Sequence, residues 1–514
     1  MKIVLVLFIA AFSLVASGSV QANDHLATKG SEHNLSINEK NVTQPVETYK
    51  WIKDNRPNSY LKTLIATIKN DHTLLCPQKV DLNPLLAAID NMKTMPVKDN
   101  KDRVEQLASD LLKRYIDIRN RGCYSPRRFF SKDELAYPGK KPKDHIIENP
   151  IEKRLEQALR KYRGLAKEGG WKKIEVKDVA YLRPGNDYPI IPALKERLKI
   201  EGFYKGTIDQ NTTYDEGLKK AVIAFQKSHG LKPDGVVGPA TLDALNIPVE
   251  AKIQKILLNI ERIRWFKQDD PYFVFVDIPG FFLKVFDNNR SVFGCKVVVG
   301  RKKRPTPIMR DRIAYAVLNP YWRAPKTIIK EDILPQFKSG NFDRLRKEGI
   351  MASMDYQGKN VVNFEDIDWT QYDETNVPFY FFQQPGPHNF LGYLKLIFPN
   401  RFDVYLHDTN HRNLFKYTYR ALSSGCVRLQ KPIELFYLLK KREREITCRD
   451  IFDIIWSKRT KKIGFKQKIP VYLSYNSVYV DDNGTIYFFD DVYKYDKRMM
   501  KIFKQNKSLL EARW

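Results

Sequence analysis

The sequence predicts an α+β multidomain protein: a helical N-terminal scaffold, a small three-helix module, then a β-rich domain. Three observations carry this. Apolar residues recur at helical spacing through the first third, at Val104, Leu107, Leu111, Leu112 and Tyr115 and again at Leu155, Leu159 and Tyr162. Between 181 and 250, short helical segments alternate with Gly-containing turns. From Tyr272 onward, short runs rich in Val and Phe replace the helical pattern.

The elements follow in order. Met1-Lys2, the apolar run 3–15 and the small residues around Val20-Gln21-Ala22 predict a secretory signal peptide over 1–22. Ser13, Ser17 and Gly18 interrupt the run, which argues against an uncleaved anchor. Residues 23–48 are polar and read as a linker. Residues 49–180 form the helical scaffold and carry no recognisable chemistry. In the module 181–250, a short helix over 191–198 precedes a turn at Gly202 to Gly206. A helix over 214–229 places Leu218, Ala221, Val222 and Phe225 on one face, and Gly230 ends it. The turn Asp234-Gly235 to Gly238 leads into a third helix ending near Leu245. The domain 251–475 carries strands over 273–278, 281–286 and 292–299, with turns at Pro279-Gly280 and Asp287-Asn288-Asn289, and these predict an antiparallel sheet. Residues 320–400 are less regular, with helix signals such as 328–337. A further strand over 471–475 closes this domain, and in the C-terminal segment 476–514 a strand over 478–480 precedes Asn483-Gly484, which predicts a hairpin turn.

Lys and Arg number 88 against 60 acids, giving a net charge of +28. Such a chain attracts anionic polymers: nucleic acid, anionic lipid or an acidic cell wall. The basic residues are dispersed and no helix-turn-helix, zinc-finger or single-strand-binding signature accompanies them, so no nucleic-acid partner is expected. No second apolar stretch reaches membrane length, so no span is expected in the mature chain. Five cysteines in an exported chain leave at least one thiol free. Cys76 and Cys123 either pair or remain as two buried thiols, and Cys295 reads as core.

The chemistry concentrates in Tyr405-Leu406-His407-Asp408-Thr409 and Ser423-Ser424-Gly425-Cys426-Val427-Arg428. A thiolate at Cys426 is a strong nucleophile, and the imidazole of His407, at a strand end, can take its proton. Gly425 gives a substrate carbonyl room to approach, and nearby N–H groups can stabilise an oxyanion. Tyr405 shares a strand face with His407, where it either supports an oxyanion or fills the pocket. Arg428 either binds a substrate carboxylate or pairs with an acid, and Trp322 either lines the pocket or packs in a core. Asp408 points away from His407 in a regular strand, so a backbone carbonyl is the alternative orienting group. His407 and His411 stand four apart, but with no glutamate between them and no third ligand a metal site is not expected. No organic cofactor is required. The residues alone give an exported cysteine acyltransferase or hydrolase.

These strings resemble the catalytic motif of the L,D-transpeptidases with the YkuD-type fold, most closely the large YcbB subgroup. Val297-Val298-Val299-Gly300-Arg301 with Thr306-Pro307, Asn319-Pro320-Tyr321-Trp322, and the stretch from Gln384 to Gly392 extend the resemblance. The module 181–250 resembles the three-helix peptidoglycan-binding domain through Gly202-Phe203-Tyr204, Phe225-Gln226 and Asp234-Gly235. The resemblance implies a YkuD-type catalytic domain over 251–475 with a cap subdomain inserted at about 320–400. Ser424 stands where many members carry a second histidine, which leaves His407 as the base. It further implies a periplasmic enzyme of a bacterium with an outer membrane. Cys426 would form a thioester with a donor stem peptide, expel D-alanine and pass the acyl group to a neighbouring stem, making a 3→3 cross-link. Gly425, Tyr405 and Ser424 would position the oxyanion, and Arg428 and Trp322 would bind substrate. The implied partners are peptidoglycan stem peptides and glycan, together with cell-wall synthesis enzymes. Two alternatives stay open: a hydrolytic L,D-carboxypeptidase, and a non-catalytic wall-binding protein with a relic site.

Overall fold

The computed structural model describes residues 49–505 except 138, 140–142, 177, 178, 268, 269, 444 and 445, all within one compact unit. The predicted signal peptide and polar linker therefore lie outside the described residues.

The helical spacing of the first third produces α1 (Ser59–Asn70), α2 (Asn83–Thr94), α3 (Lys98–Arg121) and α4 (Pro150–Lys167). Val104, Ala108, Leu111 and Tyr115 form the buried stripe of α3, and Ile151, Leu155, Leu159 and Tyr162 that of α4. Cys76 and Cys123 are joined in a disulfide, with their Cα atoms 5.7 Å apart. The module holds α5 (Ile191–Ile200), α6 (Glu216–Ser228) and α7 (Pro239–Leu245) around its own core of Leu194, Leu198, Leu218, Phe225 and Leu245. Asp215 caps α6 by accepting the Leu218 N–H.

Next comes α8 (Val249–Phe266), for which the sequence analysis names no element. It is buried along much of its length, charges included. These charges are ion-paired or hydrogen-bonded, as burial requires. Glu261 accepts the N–H groups of Cys123 and Tyr124. Arg264 meets Glu152 at 2.8 Å, and Lys252 meets Glu201 at 2.5 Å. Glu201, on the module, also receives Arg197 at 2.6 Å and the Tyr162 hydroxyl of α4 at 2.5 Å. The three-helix module is thus fastened to α4 and α8 through one buried carboxylate.

The β-rich region begins with β1 (Tyr272–Asp277), β2 (Phe282–Asp287) and β3 (Arg290–Gly300), an antiparallel meander. Then follow β4 (Ile308–Leu318), the short strands β5 (Trp322–Arg323), β6 (Met351–Ser353) and β7 (Tyr380–Gln383), and β8 (Leu394–Ile397). The last barrel elements are β9 (Leu406–His407), β10 (Ala421–Ser423), β11 (Val427–Leu429) and β12 (Lys461–Ser474). The order β8-β9-β11-β3-β2-β1-β12-β4 closes on itself because β4 also pairs β8. The antiparallel pairing expected of the first three strands is found, and the closed sheet they belong to is mixed as a whole. Local hairpins give antiparallel pairs, but β1–β12 and β9–β11 are parallel and join segments separated by a crossover.

Between β4 and β8 the chain leaves the barrel. There it builds a subdomain with a separate aromatic core, in which Phe337 stacks on Trp369 at 4.2 Å beside Trp322 and Phe381. After β11 come α9 (Pro432–Lys441) and α10 (Cys448–Trp456). The C-terminal hairpin β13 (Val478–Val480) and β14 (Ile486–Phe488) precedes α11 (Tyr495–Gln505). One continuous core runs from Trp51 through the barrel to Phe503, so scaffold, barrel and tail share their hydrophobic interior. Among the described residues no helix is long and apolar enough to cross a membrane.

Candidate active site

The parallel pairing of β9 with β11 sets Leu406 opposite Val427 and His407 opposite Arg428. Side chains alternate along a strand, so Leu406 and Val427 enter the barrel core while Tyr405, His407, Cys426 and Arg428 share the other face. On the adjoining strand, Lys395 stands opposite His407 and joins that face. The Tyr405 and His407 rings lie 5.5 Å apart, edge to face. Tyr405 also packs against the core of the inserted subdomain, which therefore covers this face as a cap.

The loop carrying Cys426 is fixed by hydrogen bonds. Gly425 adopts φ +118°, a conformation that favours glycine. Its N–H donates to Ser423 Oγ (3.2 Å), which in turn donates to the Cys426 carbonyl (2.6 Å). Thr306 Oγ1 donates to the Gly425 carbonyl (2.7 Å) and accepts the Gly300 N–H (2.8 Å). The Tyr493 hydroxyl, from the C-terminal tail, donates to the Gly300 carbonyl and accepts the Thr306 N–H. Ser424 is exposed, and its Oγ accepts Arg304 Nη1 at 3.1 Å. Arg304 also reaches Glu331 (2.9 Å) and Asp332 (2.6 Å) in the cap, so it ties the cap to the residue two before Cys426.

His407 Nδ1 donates to the Asp408 carbonyl. A carbonyl only accepts, so Nδ1 carries the proton and Nε2 is left bare. The orienting group is thus the backbone of Asp408. Its carboxylate instead accepts the Tyr393 N–H (3.0 Å) and Arg412 Nη1 (2.9 Å). Burial, reinforced by the Arg428 and Lys395 charges, lowers His407 to about 3. Burial pushes the Cys426 thiol up to about 11, opposed by the Tyr405 N–H, Arg428 and the Tyr405 hydroxyl. Cys426 Sγ lies 3.8 Å from the Asp403 carbonyl. The resting pair is therefore a neutral thiol and a neutral imidazole, an arrangement suited to general-base activation rather than a preformed ion pair.

The structure brings Cys426, His407, Tyr405 and Arg428 together. It spends the Gly425 N–H on Ser423, and Ser424 Oγ accepts from Arg304, whereas the Cys426 N–H has no acceptor among the described residues. Trp322 lies in the cap core, edge-on to Phe390 at 4.9 Å. His411 stacks on Phe390. Four contributors escaped the sequence reading: Thr306, Arg304, Lys395 and Tyr493. Thr306 stood within a string that carried the resemblance, but nothing assigned it a contact. Lys395 needs strand register to be placed, and Tyr493 lies 67 residues beyond Cys426 in sequence.

A closed mixed sheet thus presents a cysteine and a histidine on one face beneath a cap. Residues 271–448 match the family model of the L,D-transpeptidase catalytic domain, YkuD, and residues 188–245 match that of the "Putative peptidoglycan binding domain". These two stretches are thus similar to a YkuD-type L,D-transpeptidase catalytic domain and, ahead of it, a peptidoglycan-binding-type module. The chain is 34% identical over 246 residues to a Haemophilus influenzae protein named "Putative L,D-transpeptidase". That alignment covers 48% of this chain and 49% of the relative, so it spans about half the length of each. Solved L,D-transpeptidase structures also match. That of Xylanimonas cellulosilytica (residues 123–326) is 18% identical over 58% of this chain and 100% of its own, with a TM-score of 0.17. That of Stackebrandtia nassauensis is 15% identical over 59% and 98%, with a TM-score of 0.22. Superpositions this distant bear on neither fold nor function.

Proposed function

We propose that this protein is a periplasmic L,D-transpeptidase that forms 3→3 peptidoglycan cross-links through a thioester on Cys426, releasing D-alanine. The observation that carries the reading is the bare Nε2 of His407 on the same sheet face as Cys426. Nε2 takes the thiol proton as Sγ adds to the carbonyl carbon of the third stem residue. The Cys426 N–H and the Tyr405 hydroxyl are the donors for the resulting oxyanion. Collapse breaks the peptide bond, and the D-alanine nitrogen leaves with the proton from Nε2. The amine of a neighbouring stem then attacks the thioester and gives its proton to Nε2. The second collapse makes the new amide and restores the thiol.

The cap over this face favours an amine acceptor by limiting water at the thioester. The module, fastened beside α4 and α8, would dock glycan near the barrel. Export of the enzyme would bring it to its peptidoglycan substrate.

The test is incubation with disaccharide-tetrapeptide, with products resolved by mass spectrometry. Cross-linked dimer from the wild type and none from Cys426→Ala supports the reading. Tripeptide alone would favour a hydrolytic carboxypeptidase, no reaction would favour a wall-binding protein, and dimer from Cys426→Ala would sink the nucleophile.

A further inference from the structure

Two cations share the sheet face of Cys426 and a third stands on the cap, and none of the three has a carboxylate partner among the described residues. Lys395 and Arg428 stand on the face of Cys426 and His407. Arg323, on cap strand β5, lies close enough for its charge to act on Lys395. Arg428 Nε and Arg323 Nη1 are buried without a hydrogen-bond acceptor. Aromatic rings flank two of the three cations, and Glu348 and Arg428 both act on His411. Arg323 lies over the Tyr356 ring at 4.3 Å and the Tyr321 ring at 5.5 Å, and Lys395 Nζ lies over the Tyr405 ring at 5.6 Å. The acid whose charge reaches Cys426 and Tyr405 is Asp403, an exposed residue. Folded proteins rarely bury guanidinium N–H groups without acceptors, and clustered like charges repel. An arriving anion would satisfy both.

We propose that Lys395, Arg428 and Arg323 form a pocket that binds a carboxylate of the acyl donor beside the scissile carbonyl, selecting donors in which that carboxylate is free over donors in which it is amidated. The inference rests on the transpeptidase reading above and names the donor chemistry of that site. Two carboxylates of a tetrapeptide donor have the right chemistry: the C-terminal one of the departing D-alanine, and the side-chain one of a diamino-diacid third residue. Because the cap supplies Arg323, a bound donor also holds the cap against the barrel. The bound anion offsets the Arg428 and Lys395 charges, which add to burial in lowering His407, and so makes Nε2 a better base as the donor arrives.

Three synthetic tetrapeptides test this: the parent, its C-terminal amide, and its side-chain amide at the third residue. Thioester formation by intact mass and leaving-group release give kcat and KM for wild type, Lys395→Gln and Arg323→Gln, with Lys395→Arg as the charge-preserving control. In the wild type, amidating the bound carboxylate raises KM about 10–100-fold, the loss of a charge-assisted hydrogen bond. The amide that shows the effect identifies which carboxylate is held. In Lys395→Gln and Arg323→Gln the discrimination shrinks to about twofold, the signature of a coupled pair, and Lys395→Arg restores it. Wild-type enzyme that handles all three peptides alike overturns the pocket but leaves the transpeptidase reading standing. Variants that lose the same factor on every peptide also overturn it, since that is a structural effect. No thioester with any peptide overturns both.

Discussion

The charge state of the resting site sets a pH profile that separates two kinds of cysteine chemistry. The perturbation is alkylation of Cys426 by iodoacetamide across a pH series. With the thiol pushed up to about 11, the thiolate fraction at neutral pH is about 10⁻⁴ and gains tenfold per pH unit. With His407 held at about 3, its imidazole is neutral throughout that range and offers no imidazolium to stabilise the thiolate. The logarithm of the alkylation rate should therefore climb with unit slope from about pH 6 to about pH 10, without a plateau. Acylation by a tetrapeptide donor should behave otherwise. It draws on the neutral imidazole, whose population is constant there, so its rate should stay flat from about pH 6 to about pH 8. Modification must be read at Cys426 by peptide mapping, because Cys448 is a free and exposed thiol. A plateau in alkylation with its inflection below about pH 6 would mean a preformed thiolate–imidazolium pair and would refute the reasoning.

Three further outcomes are expected. His407→Ala should slow thioester formation about 10²–10⁴-fold while leaving the unit-slope alkylation profile in place; unchanged acylation would make His407 structural. Arg304→Gln removes the bridge from Ser424 to Glu331 and Asp332. Both acids are substantially exposed, so urea unfolding should shift by only about 1 kcal/mol while the ratio of tripeptide to cross-linked dimer rises, and an unchanged ratio would free the cap from any role in excluding water. Replacing Cys76 and Cys123 together by serine reopens a loop spanning 47 residues of sequence. This should cost about 4 kcal/mol by urea unfolding, and a loss near zero would mean that the core already constrains that segment in the unfolded chain.

The site was legible where chemistry and chain order coincide. Cys426 and His407 lie within strings whose residue types serve acyl transfer, and period-two alternation placed Tyr405 beside His407 without a structure. The module was legible because Gly230, Asp234 and Gly235 punctuate it. Long-range pairing was not legible. Lys395 reaches the site through its register with His407, and Arg323 reaches it from a strand in the cap. The mixed sheet was hidden for the same reason, since β12 lies parallel to β1 almost two hundred residues after it. Helix α8 went unnamed although its sequence is periodic, and its buried Lys252, Glu261, Arg262 and Arg264 make sense only beside their partners from the scaffold, the module and the tail.

Those partnered charges sharpen the contrast with the site. Elsewhere in the chain, buried cations meet carboxylates at close range: Arg264 with Glu152, Lys252 with Glu201, Arg262 with Asp496. Around Cys426, the same fold leaves Lys395, Arg428 and Arg323 without such partners and sets a raised thiol beside a depressed imidazole. Arg420 is buried on backbone carbonyls instead, whereas Arg428 Nε and Arg323 Nη1 have no acceptor of either kind among the described residues. If a donor carboxylate completes the cluster, the energetic deficit of the empty site becomes binding energy when the reacting carbonyl arrives. The same anion weakens the positive field on His407, so proton transfer from Cys426 becomes easier with donor in place than without it. Donor recognition and nucleophile activation are then one electrostatic event, and a free thiol in the empty enzyme stays protonated and slow to react.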